Sequence, residues 1–288
     1  MSNAERVWFI TGASSGFGQA LAEAVVARGE RAVVAARRLP ALEALAARDE
    51  ARALALPLDV TDAGARAAAV RAAIERFGRI DVLANIAGRG SLGAVEEFAP
   101  EQLRAQMDLN FFAAAELTRA VLPQMRAQGA GHILNLTSIG GLISIGGFGA
   151  YCASKFALEA WSEALANEVA GFGIKVTLVE PGNFRTEFAG DANLRPARQL
   201  PAYRSVIAPI ETFLYGQAGH QPGDPAKAAE AMIAVVDDPS PPRRLVLGED
   251  AYDVLDRTIK ARMADIDRYR TLGLATGFEG AQVRPIGS

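Results

Sequence analysis

Apolar residues along the first 180 positions fall into two alternating rhythms. Short runs, apolar almost throughout, occupy 7–11, 32–36, 53–58, 82–85, 132–136 and 175–179. Such runs suit strands covered on both faces. Between them, Ala-, Leu-, Arg- and Glu-rich stretches at 17–29, 39–49, 63–77, 101–128 and 151–171 carry helical spacing. Strand and helix in alternation predict βαβ units and a doubly wound α/β fold, a parallel sheet of about seven strands with helices on both faces. Thr61 and Asp62 mark a helix start, Gly29 and Gly78 mark helix ends, and Pro100 is a first-turn proline.

The pattern changes after Pro181 and Gly182. Residues 187–225 hold five prolines among large apolar side chains and read as an irregular, substrate-binding segment. Within it Tyr203, Val206, Ile207, Ile210, Phe213 and Leu214 fall at helical spacings. That stripe is either a lid over a reacting site or ordinary core or subunit contact. A helix at 225–237, a strand at 245–247 and a charged helix at 250–270 follow, and 273–288 are expected to form a flexible tail. No internal repeat interrupts the plan, so 1–288 read as one domain.

Composition narrows the function classes. The net charge of −3 gives no electrostatic reason to expect nucleic acid or an anionic membrane as partner. No apolar run approaches the ~18 residues of a membrane span, and residues 1–6 lack a signal-peptide pattern. Cys152 is the only cysteine, and His132 and His220 are the only histidines. No disulfide within the chain and no metal site are expected, and the cytoplasm is the expected location.

Candidate chemistry begins where the first strand meets the first helix. Thr11 is followed by Gly12, Ala13, Ser14, Ser15, Gly16, Phe17 and Gly18, and a helix opens at once. Gly12 permits a tight turn, Gly16 lets backbone approach a pyrophosphate, and Gly18 lets helix and sheet pack closely. The helix N-terminus offers free N–H groups to the anion. In a dinucleotide fold the end of the second strand meets the adenosine ribose, where a carboxylate would select NAD. Here stand Arg37 and Arg38. Their guanidinium groups suit a 2′-phosphate, so NADP(H) is predicted over NAD(H), with Arg37 the main contact, Ser14 a second and Arg38 a weaker one. Further on, Tyr151 and Lys155 share one helix face at i and i+4. A neighbouring ammonium is expected to lower the phenol's pKa towards the working pH.

Ordered along 5–190, these motifs resemble the short-chain dehydrogenase/reductase family, a Rossmann-type fold whose glycine turn reads T-G-x-x-x-G-x-G. The 17β-hydroxysteroid-dehydrogenase-like branch is the most similar. Ser138 stands thirteen residues before Tyr151, the family's serine-to-tyrosine spacing. The resemblance implies catalytic roles for Asn110, Ser138, Tyr151 and Lys155, with Asn110 in a helix distortion that holds a water beside the lysine. It implies that Asp59 accepts from the adenine amino group, with Val60 contributing backbone. Asn85, Ile86, Ala87 and Gly88 stand where the family has N-N-A-G, Ile86 being the departure. Ala87 and Gly88 would let the cofactor pass close to backbone, while Asn85 either touches it or stabilises the sheet. Pro181, Gly182, Phe184 and Thr186 match P-G-x-x-x-T and would border the cofactor, with backbone at Phe184 and the Thr186 hydroxyl holding the nicotinamide carboxamide.

Mechanistically, the resemblance implies hydride transfer between a ketone or aldehyde and an alcohol. Apolar surplus on 101–128 and 151–171, including Phe156, Trp161 and Leu165, is either buried in the monomer or pairs subunits as a homodimer or homotetramer, as in the family. Ile139, Phe148, Phe188 and Arg89 are further pocket candidates. A non-catalytic NADP(H) sensor on the same fold is the alternative, against which the full set of Asn110, Ser138, Tyr151 and Lys155 argues. An epimerase or dehydratase would carry a larger C-terminal substrate domain.

Overall fold

Five consecutive apolar or small residues make β1 (Val7–Thr11), and every one of them is buried. Such a strand is stable only with helices on both of its faces. The computed structural model, which describes residues 6–190 and 193–282, has that arrangement. Six parallel pairings join β1 to β2 (Arg31–Ala36), β3 (Ala53–Pro57), β4 (Val82–Asn85), β5 (Gly131–Leu136), β6 (Ile174–Pro181) and β7 (Arg244–Leu247). The strand order is β3-β2-β1-β4-β5-β6-β7. Strand order therefore reverses between β1 and β4, and a crevice opens at their carboxyl ends.

Alternate residues of each strand feed opposite layers. Trp8 and Ile10 pack under α1 (Gly16–Ala27), α2 (Leu39–Ala46) and α8 (Pro225–Asp237) through Leu21, Leu42 and Met232. Phe9 and Leu83 pack under α3 (Ala63–Phe77), α5 (Ala113–Gln128) and α6 (Gly149–Val169) through Val70, Leu117 and Leu165. The predicted punctuation holds in detail. Asp62 caps α3 by accepting from the Ala65 N–H at 2.7 Å, and Gly78 ends it with φ 77°.

Two expectations need correction. The stretch 101–128 is not one helix. It divides into α4 (Pro100–Met107), a π-helical turn at Asp108–Phe112, and α5. The segment 187–225 is less irregular than its prolines suggest, because α7 (Arg204–Gly216) forms around Pro209. At the C-terminal end α10 (Arg270–Leu274) follows the long α9 (Glu249–Arg268), residues 275–282 are exposed, and 283–288 lie outside the described residues. Polar contacts tether the segment around α7. Buried Glu97 accepts from the Leu200 N–H at 2.7 Å, and the Tyr203 hydroxyl donates to Glu96 at 2.6 Å. No helix among the described residues is long and apolar enough to cross a membrane.

The edge strand β7 is held by one cation. Arg244 bonds Glu180 on β6 and both Glu159 and Glu163 on α6, the Glu159 contact at 2.6 Å. Burial beside Glu159 pushes the Glu180 carboxyl up to about 7 despite the guanidinium. A carboxyl raised this way binds its proton more tightly folded than unfolded, so the cost of its charge is present above pH 7 and is relieved as pH falls through 7 towards the unfolded value. Arg244→Leu is expected to lower unfolding free energy by about 3–5 kcal/mol above neutrality. The loss should shrink in mildly acid buffer, where Glu180 takes up a proton. Denaturant unfolding at the two pH values measures this, and an equal loss at both would contradict it.

Candidate active site

The crevice at the switch point is a cleft of about 1140 Å³. Its floor is set by the turn after β1. Gly12 has φ 67°, and a Cβ there would stand 3.0 Å from the Ala87 backbone. A Cβ on Gly18 would fall 2.3 Å from the Gly12 carbonyl oxygen, so helix α1 approaches the turn as only glycine allows. The Thr11 hydroxyl accepts from the N–H groups of Ile86 and Ala87 at 2.9 and 3.1 Å, locking the β4 loop to the turn. Ser15 at the N-cap makes no side-chain cap, which leaves the first N–H groups of α1 to an external acceptor. Gly12, Ser14, Ser15, Gly16 and Phe17 all line the cleft.

Arg37, Arg38, Asp59 and Val60 line the end beyond β2. Arg38 reaches back over the turn, with Nε donating to Ser14 Oγ at 3.3 Å and Nη2 pairing with Glu187 at 3.1 Å. Glu187 has no counterpart in the sequence reading. Arg37 is exposed and has no hydrogen-bond or ion-pair partner among the described residues, so its donors face the cleft unengaged. Asp59 accepts from the Thr61 N–H and hydroxyl at 2.9 and 2.7 Å, which hold its carboxyl below the usual range. A glycine cradle, an uncapped helix N-terminus and a free guanidinium together fit a phosphorylated dinucleotide. Asn85 lies elsewhere: its Nδ2 donates to Asn135 at 2.8 Å and Thr118 at 3.0 Å, within the polar interior behind the sheet, and it does not line the cleft.

At the opposite end Ser138, Tyr151 and Lys155 converge. Ser138 Oγ and the Tyr151 ring both border Gly140, where a Cβ would meet them at 3.4 and 3.1 Å. Lys155 Nζ donates to the Leu136 carbonyl at 2.8 Å and stands 5.9 Å from the Tyr151 ring centre. Asn110 sits in the π-turn, the local distortion that the resemblance implied. Its Oδ1 accepts from the Arg89 N–H at 3.0 Å, and its Nδ2 donates to the Arg89 carbonyl at 2.9 Å and to Ser154 Oγ at 3.0 Å. Ser154 in turn donates to the Tyr151 carbonyl at 2.7 Å. Asn110 is buried behind Gly88, near Lys155, and does not itself line the cleft.

The electrostatics differ from expectation. Burial pushes the Tyr151 phenol above its ordinary range, with a hydrogen bond to Ser138 pulling the other way. Burial also pushes the Lys155 ammonium down to about 8, against the attraction of Glu159. Desolvation therefore outweighs the lysine–tyrosine coupling predicted from i,i+4 spacing.

Pro181, Gly182, Phe184 and Thr186 line the cleft beside this site. The Phe184 ring packs on Phe17 at 5.1 Å, bridging the two loops. Phe148 and Phe188 flank Tyr151 edge-on at 6.5 and 5.3 Å. Ile210, Phe213 and Leu214 of α7 reach the cleft as well, whereas Tyr203, Val206 and Ile207 do not line it. Asn193 and Gln221, which sequence reasoning did not single out, also line it, and so does Cys152.

Known proteins carry the same plan. A profile described as short chain dehydrogenase matches residues 6–197. An oxidoreductase of Botryotinia fuckeliana is 36% identical over 272 residues, covering 94% of this chain and 99% of its own. A solved short-chain dehydrogenase from Streptomyces avermitilis is 45% identical with TM-score 0.89, covering 95% of this chain and 99% of its own. A solved metagenomic short-chain oxidoreductase in complex with NADP is 26% identical with TM-score 0.68, covering 86% and 98%. With its fold, its cleft and its full-length relatives in agreement, this chain belongs to the short-chain dehydrogenase/reductase family.

Proposed function

We propose that this chain is an NADP(H)-dependent oxidoreductase that interconverts a ketone or aldehyde and an alcohol on a hydrophobic small molecule. One observation carries the reading: a buried phenol, hydroxyl and ammonium from Tyr151, Ser138 and Lys155 meet at one end of a cleft whose other end offers a glycine cradle and a free Arg37. When bound, the nicotinamide supplies the hydride, and the protein supplies geometry and charge.

In the reducing direction the substrate oxygen lies against Tyr151 and Ser138. A phenol held protonated by burial is a proton donor ready for the alkoxide as it forms. The Ser138 hydroxyl stabilises the growing negative charge, a contribution of about 3–4 kcal/mol for one well-placed donor. Lys155 provides positive charge behind the phenol and a donor for the cofactor ribose. Asn110 fixes the loop at Arg89 and, through Ser154, the backbone of Tyr151. Gly12, Gly16 and the first turn of α1 bind the pyrophosphate, with Ser14, Ser15 and Phe17 along the turn. Arg37 would hold the 2′-phosphate, and Arg38, now paired with Glu187, would be a second contact there. Asp59 and Val60 border the adenine, Ala87 and Gly88 the adjoining ribose, and Pro181, Gly182, Phe184 and Thr186 the carboxamide.

Ile139, Ile143, Phe148, Phe188, Ile210 and Leu214 give the substrate end its apolar character. Phe112 and Phe156, exposed by 49% and 36% on the long helices, support pairing of copies as a dimer or tetramer through those faces. A single buried thiol fits the reducing cytoplasm.

Tyr151→Phe is expected to lower NADPH-linked ketone reduction by about 10²–10⁴-fold while leaving NADPH binding nearly intact, as read by steady-state kinetics beside a binding titration. Full retained activity would remove the phenol from the mechanism. Arg37→Ala should weaken NADPH binding by about ten- to a hundredfold and leave NADH binding unchanged; wild-type protein using NADH as well as NADPH would overturn the assignment. The kcat/KM for reduction should fall as pH rises through about 8, where Lys155 loses its proton. A profile flat well above that value would show the ammonium is not required.

A further inference from the structure

Among the described residues, Asn193 is distinctive in leaving both polar atoms of its side-chain amide buried without a hydrogen-bond partner. The residue is only 7% exposed. Its backbone is fastened on both sides. The Asn193 N–H donates to the Gly190 carbonyl, the Leu194 N–H donates to the Gly90 carbonyl at 2.9 Å, and the Leu92 N–H donates to the Leu194 carbonyl at 3.1 Å. The amide is thus held in place with nothing to bond. It lines the same cleft as Tyr151. A Cβ built on Gly90 would stand 2.4 Å from Asn193 Oδ1 and 2.6 Å from the Phe188 ring, so the amide and that ring share one small patch of wall. Phe188 is the ring that packs edge-on against Tyr151.

Buried polar atoms in folded proteins are nearly always paired, and an orphan calls for a bound partner. Two other cleft-lining residues also leave a buried polar atom unpaired: Gln221, 3% exposed, its Oε1, and Arg89 its Nε. Resting on the oxidoreductase reading above, we propose that Asn193 is a specificity residue that binds a second polar group on the substrate, a hydroxyl set apart from the reacting carbonyl. A hydroxyl donates and accepts, so it satisfies Oδ1 and Nδ2 together. A carboxylate would satisfy Nδ2 and repel Oδ1. The substrate class is therefore a hydroxy-ketone with an apolar frame rather than a plain hydrocarbon ketone. A site built to bond a hydroxyl discriminates strongly against the analogue that lacks it, because its own polar groups then stay buried and unpaired.

The test uses matched ketones, each with and without a remote hydroxyl at varied positions: 2-decanone beside its hydroxy-2-decanones, and 2-decalone beside its hydroxy-2-decalones. NADPH-linked kcat/KM is measured for wild type, Asn193→Leu and Asn193→Ala. Wild type should prefer at least one hydroxy-ketone over its partner by about tenfold or more, and both variants should bring that ratio close to one. In a second readout without substrate, Asn193→Leu should raise the Tm by about 2 °C, since it removes an amide that is buried without partners. A lowered Tm would make Asn193 a structural residue, satisfied by water, and would overturn the proposal. So would turnover with no hydroxyl preference, or a preference that survives both variants. Failure of every ketone to turn over in wild type would instead refute the oxidoreductase reading, and this proposal with it.

Discussion

Everything in the cleft depends on how closely backbone approaches backbone at the end of β1. The Gly12 carbonyl occupies the space a Cβ on Gly18 would need, and the Ala87 backbone occupies the space beside Gly12. Three pieces of chain are thereby drawn together: the β1 turn, the start of α1 and the loop after β4. The Thr11 hydroxyl then ties that loop in place with two accepted hydrogen bonds. Once the loop is fixed, Gly88 stands against Asn110 and Lys155, and the far end of the cleft inherits its geometry from the near end. Any side chain larger than hydrogen at Gly18 would separate the helix dipole from the place where an anion rests. The two ends of the cleft are thus consequences of a single steric condition.

Electrostatics at the reacting end follow from dehydration more than from attraction. Tyr151 and Lys155 are both nearly inaccessible, and each is driven towards its neutral form. In an exposed helix the ammonium would be fully charged and the i,i+4 pair only weakly coupled through water. In the fold both are buried, and the Tyr151 ring packs edge-on against Phe148 and Phe188. The strength of any charge arriving there is magnified by the same low dielectric. A neutral phenol at rest is therefore compatible with rapid proton transfer once a developing oxyanion is present.

The strands were legible in the sequence because a covered parallel strand must be apolar on both faces. Val7–Thr11 and Val82–Asn85 are bounded as the pattern predicts, and the helix caps at Asp62 and Gly78 carry their own chemistry. The glycine turn was legible for the same reason, since glycine at a forced approach leaves a mark in composition. What escaped were features that depend on distant parts of the chain. Asn85 has the same identity whether it faces a ligand or the interior, and Asn135 and Thr118, far along the chain, decide the matter. The stripe over 203–214 was read at helical spacing and α7 forms there, around Pro209, while the surrounding prolines made 187–225 read as irregular. Asn193 gave no signal at all, because an amide announces nothing until its lack of partners is seen in three dimensions.

The π-turn at Asp108–Phe112 has one more consequence. An extra residue in one turn of helix rotates everything after it by about 100° relative to what came before. That rotation sets Asn110 inward, where it bonds Arg89 and Ser154, while its near neighbour Phe112 remains about half exposed. The interior anchor and the external aromatic are two readings of one phase shift. Deleting a residue there would disturb both together, so the buried anchor and the outer face of this helix are bound to a common register and can diverge only in concert.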